Sequence, residues 1–267
     1  MTGDGYQALA LDLDGTLIDM DLRLDDRDVA AIGRVVEAGI RVIACTGRPF
    51  PGAIPWVRRL RLRDPLVCYQ GAQVRALDGG MLLDLGVARE LALEVVAFAR
   101  QRDVHVQAYR DDRLLVEKDR PEAHRYANHA GMEIHLVADL DSVMAATTPK
   151  LVMVATPERI EELLPEARRR WRGRLFVTTS LPEFLELTDV DADKRRGLEF
   201  LAGRLGFTAS QAVAVGDGRN DAPMLDWAGL GIAVEGAPVE VLEAADRTVA
   251  RPGSGGIATL LGELFGA

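Results

Sequence analysis

Four consecutive apolar residues, Ala8 to Leu11, lead straight into Asp12-Leu13-Asp14-Gly15. A short unbroken apolar run stopped by turn-forming residues has the pattern of a strand buried on both faces. The next stretch changes period. Val29, Ile32, Val35 and Val36 share one face of a helix predicted over Asp25 to Ala38, with Gly39 at its end. A second buried strand, Arg41 to Cys45, runs into Thr46-Gly47-Arg48. A helical stretch around Ile54 to Leu60 then leads to a third strand over Pro65 to Tyr69. Strand, helix and strand at this rhythm predict a parallel sheet with helices packed on it.

The rhythm returns near the C-terminus. A helix over Arg195 to Leu205, closed by Gly206, precedes an apolar strand, Ala212 to Val215, that stops at Gly216-Asp217-Gly218. A short helix (Ala222 to Ala228), a strand (Gly231 to Val234), a helix (Val239 to Ala245) and a short strand (Arg247 to Ala250) follow. Residues 83 to 188 read differently. Strand pairs are expected at His105 to Tyr109 with Leu114 to Glu117, and at Leu175 to Thr179 with Glu183 to Leu187, with a further strand at Lys150 to Ala155. Helices fall at Arg89 to Arg102, Pro121 to Ala130 and Pro157 to Trp171. Hairpins mixed with helices predict a separate α+β layer inserted into an α/β domain.

Length and composition fit this division. The 267 residues, 48% hydrophobic and 27% charged, make a globular chain of just under two domains at ~150 residues each. A net charge of -9 argues against nucleic acid, which a basic balance or stripe would favour, and against anionic membranes. The basic clusters at Arg58 to Arg63 and Arg168 to Arg174 are interleaved with apolar residues and read as solvated helix faces. No run approaches the ~18 apolar residues of a membrane span, and Asp4 and Asp12 interrupt any leader-like stretch. Cys45 and Cys68 sit in apolar runs and read as buried free thiols of a cytoplasmic protein, not as a disulfide or zinc framework. The four histidines lack metal-ligand spacing.

Chemistry-bearing residues collect where the apolar strands end. Asp12 and Asp14 are two carboxylates delivered at a strand's carboxyl end, the edge at which open α/β sheets bind ligands. Acids so close need a cation or separated pKa values to coexist. Thr46-Gly47 offers a hydroxyl and exposed backbone N–H groups to an anion, although a helix-capping threonine would look the same. In Gly216-Asp217-Gly218-Arg219-Asn220-Asp221, oxygen-bearing side chains suited to Mg²⁺ follow a buried strand, yet a Gly/Asn/Asp turn has the same residue types. Lys194, at the start of an Arg-rich helix, would alone pass for solvated surface.

In order and context these four pieces resemble the four motifs of the haloacid dehalogenase superfamily of phosphohydrolases. Over essentially the whole chain the match is to the Cof-like branch, whose large α+β cap is inserted between the second and third motifs. Cys68-Tyr69-Gln70-Gly71-Ala72, Ala228 to Val234 and Gly255-Gly256-Ile257-Ala258 resemble its secondary landmarks. The resemblance implies an α/β fold with a Rossmann-like parallel-sheet core at 1–82 and 189–267, and a cap at 83–188 that chooses the substrate. It implies Mg²⁺-dependent hydrolysis of a small phosphorylated metabolite by a monomer or homodimer. Asp12 would be the nucleophile that forms an aspartyl-phosphate, and Asp14 the general acid and base. Thr46, Gly47, Lys194 and Asn220 would hold phosphate. Asp12, Asp14 through its backbone carbonyl, Asp217 and Asp221 would hold the metal or its waters. Arg48 and the cap residues Tyr109, Arg110, Asp111, Arg113 and Lys150 are candidates for the leaving-group pocket. Gln70, Arg195 and Glu235-Gly236-Ala237 depart from the branch's usual asparagine, glycine and Gly-Asn-Ala, which leaves the pocket's detail open. Sugar phosphates, flavin mononucleotide, pyridoxal phosphate and phosphoglycerate derivatives all fit. A phosphomutase on the same scaffold is the second reading, and a non-catalytic binding protein the third. The third would be expected to lack one of Asp12, Asp14, Thr46, Lys194 or Asp217, and all are present.

Overall fold

A computed structural model describes residues 5–267; Asp4, read above against a leader, lies outside the described residues. The two α/β stretches build one sheet. Its five strands are parallel, in the order Arg247–Val249, Leu230–Val234, Ala212–Gly216, Ala8–Leu11 and Arg41–Ala44. A parallel bridge between Cys45 and Val67 attaches the third predicted strand, Leu66–Cys68.

Alternation along the first strand sets what packs on each face. Leu9 and Leu11 point into one apolar cluster with Ala31, Ile32 and Val35 of the Asp26–Glu37 helix. Ala8 and Ala10 point into another, with Leu198 and Leu201 of the Lys194–Leu205 helix. Burying a leucine side chain contributes about 1.5–3 kcal/mol, so the first face anchors the strand. The alanines leave room on the second face for the helix that carries Lys194. Both helices are capped by their sequence: Asp25 accepts from the Arg27 backbone N–H at 2.9 Å, and Asp193 from that of Arg196 at 2.7 Å. Gly206, with φ +81°, ends the second.

The middle region forms a six-stranded sheet in the order Leu175–Thr179, Phe184–Asp189, Leu151–Val154, His105–Arg110, Arg113–Val116 and Ile134–Leu136. All its pairs are antiparallel except the last. Helices Arg89–Gln101 and Pro157–Arg170 close a core of its own, with Phe98 against Trp171 at 5.0 Å between ring centres. Its other face, with the Pro121–Ala130 helix, joins the apolar cluster of the parallel domain through Tyr109, Tyr126, Val152 and Phe184. The fold is thus a parallel α/β core with an α+β layer seated on it.

Several elements were missing from the sequence reading. Gln73–Arg75 and Met81–Asp84 make a small antiparallel sheet with Leu66–Cys68, so pairing with the core side continues past the boundary expected at 83. Met81–Asp84 has no buried residue and therefore no apolar signature. The Gly256–Phe265 helix buries Ile257, Leu260, Leu261 and Leu264. These positions recur at i, i+3, i+4 and i+7, the apolar stripe of an amphipathic helix, which reading Gly255 to Ala258 only as a landmark passed over.

Candidate active site

Sheet register assembles the site. Leu11 pairs with Val215 on one side and Ala44 on the other. The residues that follow, Asp12, Asp217 and Thr46, therefore emerge together at the carboxyl edge of the strands. Gly15, with φ +86°, turns the chain away, and a Cβ there would run into the Asp217 carboxylate. Thr16 then donates from Oγ1 to Asp217 Oδ1 at 2.9 Å.

Lys194, the first residue of its helix, is completely buried. Its Nζ donates to Asp12 Oδ1 and to Asp221 Oδ1, each at 2.5 Å. Asp221 Oδ2 accepts from the backbone N–H groups of Asp217 at 2.9 Å and Gly218 at 2.8 Å. One lysine thus faces three acids. Burial, then the charge of Asp221, raises Asp12 well above the ordinary aspartate range, although Lys194 opposes the rise. The same two causes push Asp217 up to about 7. Burial pulls the Lys194 ammonium down, but Asp12 and Asp221 outweigh it and hold the group above the usual lysine value.

This excess of negative charge has the form of a cation site. Oxygens of Asp12, Asp217 and Asp221 lie within 4.8 Å of one another. Among the described residues, Asp12 Oδ2 and Asp217 Oδ2 accept no hydrogen bond, whereas both Asp221 oxygens are engaged. A hard divalent cation fits such an all-oxygen set, with Asp12 and Asp217 as direct ligands and Asp221 behind them. The Asp14 carboxylate stands outside the cluster. Arg48, itself buried, forks it with Nε to Oδ2 at 2.8 Å and Nη2 to Oδ1 at 2.6 Å, and His129 Nε2 lies 3.5 Å from Oδ1. Burial draws the His129 imidazole below the ordinary histidine value, against the pull of Asp14.

The inserted layer supplies the roof. A small cavity of about 30 Å³ is bounded below by Asp12, Asp14 and Asn220 and above by His129, Phe184 and Glu186. It shares Ser180, Leu181, Asp217 and Gly218 with a larger cleft of about 650 Å³. Lys150, one of the cap candidates, reaches the core and donates to Gly47 O at 2.6 Å. The other candidates lie elsewhere. Tyr109 is buried with its hydroxyl on that of Tyr126 at 2.5 Å, Arg110 is exposed and donates to Val143 O, and Asp111 and Arg113 are exposed; none lines the cavity. Strand ends were the wrong place to look, because the sheet meets the core with its face. His129, Ser180 and Glu186 were missed. For Glu186 a signal existed: a carboxylate between Leu185 and Leu187 in a fully buried stretch of strand requires a buried partner.

The family profile described as haloacid dehalogenase-like hydrolase matches residues 9–261. The HMP-PP phosphatase of Serratia proteamaculans is 27% identical over 232 residues, covering 87% of this chain and 85% of its own. A haloacid dehalogenase-like hydrolase from Bacteroides thetaiotaomicron superposes with a TM-score of 0.85 at 27% identity, over 97% of this chain and 100% of its own. A solved structure from Thermotoga maritima gives 0.80 at 30% identity, over 97% of both. The chain belongs to the haloacid dehalogenase-like hydrolases and is a phosphatase of their Cof-like branch.

Proposed function

We propose that this phosphatase hydrolyses a small phosphorylated metabolite with Mg²⁺ bound, by transfer of the phosphoryl group to Asp12. The observation that carries the reading is the buried Asp12 carboxylate, anchored through one oxygen to Lys194 and clustered with Asp217 and Asp221. A bound Mg²⁺ supplies positive charge against the phosphate dianion and the surrounding acids. Asp12 attacks phosphorus, the ester P–O bond breaks, and the leaving oxygen takes a proton from Asp14. A water then attacks phosphorus of the aspartyl-phosphate, gives its proton to Asp14 and frees Asp12 and inorganic phosphate. Lys194 and the Thr46-Gly47 turn stabilise the transferring oxygens. For Asp14 to act, the Arg48 fork must open onto the leaving group.

A cavity of about 30 Å³ has room for about two water molecules. A substrate therefore requires the layer to lift, or its leaving group to extend into the larger cleft. The name of the Serratia relative supports a phosphorylated small molecule as substrate. Buried free Cys45 and Cys68 support a cytoplasmic setting, and among the described residues no helix is long and apolar enough to cross a membrane. The test is phosphate release from a panel of metabolite monophosphates. Release is expected with Mg²⁺, is lost in EDTA and is abolished by Asp12→Asn. Turnover that survives either treatment contradicts the mechanism.

A further inference from the structure

Two fully buried charges of the layer, Lys150 and Glu186, make polar contacts with the core. Every partner of Glu186 is a donor. Oε1 accepts from Ser180 Oγ at 2.5 Å, and Oε2 accepts from Lys150 Nζ and from Gln70 Nε2, each at 2.8 Å. A carboxylate with only donors around it fixes which way the neighbouring amide faces. With Nε2 committed to Glu186, Gln70 turns Oε1 to Asn220 and accepts from its Nδ2 at 2.9 Å. Asn220 is left presenting Oδ1, which is buried and has no partner among the described residues. The Lys150–Glu186 pair thereby holds the Asn220 amide in one orientation, beside Gly218 in the wall of the cavity.

The second arm runs through Lys150. Its Nζ donates to Gly47 O at 2.6 Å. The same peptide unit carries the Arg48 N–H, which donates to Thr46 Oγ1 at 3.0 Å. A cation on the carbonyl oxygen polarises that N–H and strengthens the second bond. With an acceptor site filled from behind, the Thr46 hydroxyl has its own hydrogen free for a phosphoryl oxygen. If the pair were only a wedge between two apolar surfaces, apolar residues of similar volume would serve as well, because the desolvation of buried charges offsets most of their attraction.

We propose that Lys150 and Glu186 are positioning residues for phosphoryl transfer: seated against the core, they set the hydrogen-bond polarity of Thr46 and Asn220 and so complete the phosphoryl pocket only when the layer is closed. The proposal rests on the phosphotransfer reading above. It places no contact between either residue and the leaving group, so it is tested with p-nitrophenyl phosphate, whose leaving group offers nothing for a specificity pocket to read, and with orthovanadate as a mimic of the transferring group. Lys150→Met removes the cation and Lys150→Arg restores it. Lys150→Met/Glu186→Leu removes both charges, so that neither is buried alone, and carries the test if Lys150→Met does not fold.

The expected result in Lys150→Met and in the double variant is a loss of about 10- to 100-fold in kcat. KM should stay within about threefold, orthovanadate inhibition should weaken in parallel with kcat, and Lys150→Arg should recover most of the loss. A folded double variant with wild-type kcat and wild-type vanadate affinity overturns the proposal, as does a rise in KM alone. A wild-type chain that neither turns over the ester nor binds vanadate overturns the phosphotransfer reading and this assignment with it, and is distinct from an active wild type whose variants are unaffected.

Discussion

On the proposed cation site, Asp217 is the residue at which ionisation and cation binding would compete. Its carboxyl sits at about 7 in the metal-free fold, against 3.8 for an unperturbed aspartate. Between those values the folded chain holds a proton that the unfolded chain has released, so this group's contribution to stability falls as pH rises through the window and is constant above it. Asp217→Asn imitates the protonated form at every pH. In EDTA the variant should therefore be the more stable across this window, by less near about pH 5 than near about pH 8. Excess Mg²⁺ should reverse the order at about pH 8 by stabilising wild type alone. Thermal unfolding of the two proteins at both pH values, with and without Mg²⁺, checks this. A wild type that is the more stable in EDTA at about pH 8 would show that Asp217 is not held in a cation-deficient acidic cluster.

At the scale of elements, the helix that carries Lys194 is placed by contact with the loop after the third strand. Tyr69 and Gln70 both have positive φ, and Gly71 follows with φ +96°. A Cβ on Gly71 would overlap the Asp193 carbonyl at the start of that helix. Gly71→Ala should combine backbone strain of about 1–3 kcal/mol with displacement of Lys194, lowering both the unfolding temperature and kcat. Circular dichroism melts and steady-state phosphate release measure the two effects. Unchanged values for both would mean that this contact does not position the lysine. These elements also show what sequence makes legible. Strands such as Ala8–Leu11 and Ala212–Gly216 are apolar throughout and end in glycine and acids, so strand and site appeared together. The Gly256–Phe265 helix carries its period in Ile257, Leu260, Leu261 and Leu264 and could have been read, whereas Met81–Asp84 buries no residue and has no pattern to read.

For the whole molecule, the core site and its roof differ in legibility for a physical reason. Asp12, Asp14, Thr46, Lys194 and Asp217 each adjoin an end of a core element, and a linear motif records that. His129, Lys150, Ser180 and Glu186 come from the inserted layer; the last three meet within its own sheet, and their meeting with the core site comes only from the seating of that sheet on the core. No spacing in the chain encodes that meeting. The layer's apolar continuity with the core, through Tyr126 and Phe184, holds this roof in place over a cavity too small for a substrate, so entry takes either a movement of the layer or use of the adjoining cleft. The central claim is nonetheless about one atom group beneath it, the Asp12 carboxylate. Its most direct test is acid quenching during turnover with Mg²⁺, followed by borohydride reduction and mass spectrometry of the peptides. The account predicts a phosphoryl adduct on the peptide that bears Asp12, reduced to homoserine at that position and missing from Asp12→Asn. An adduct on another carboxylate, such as Asp14, or steady turnover by Asp12→Asn, would contradict it.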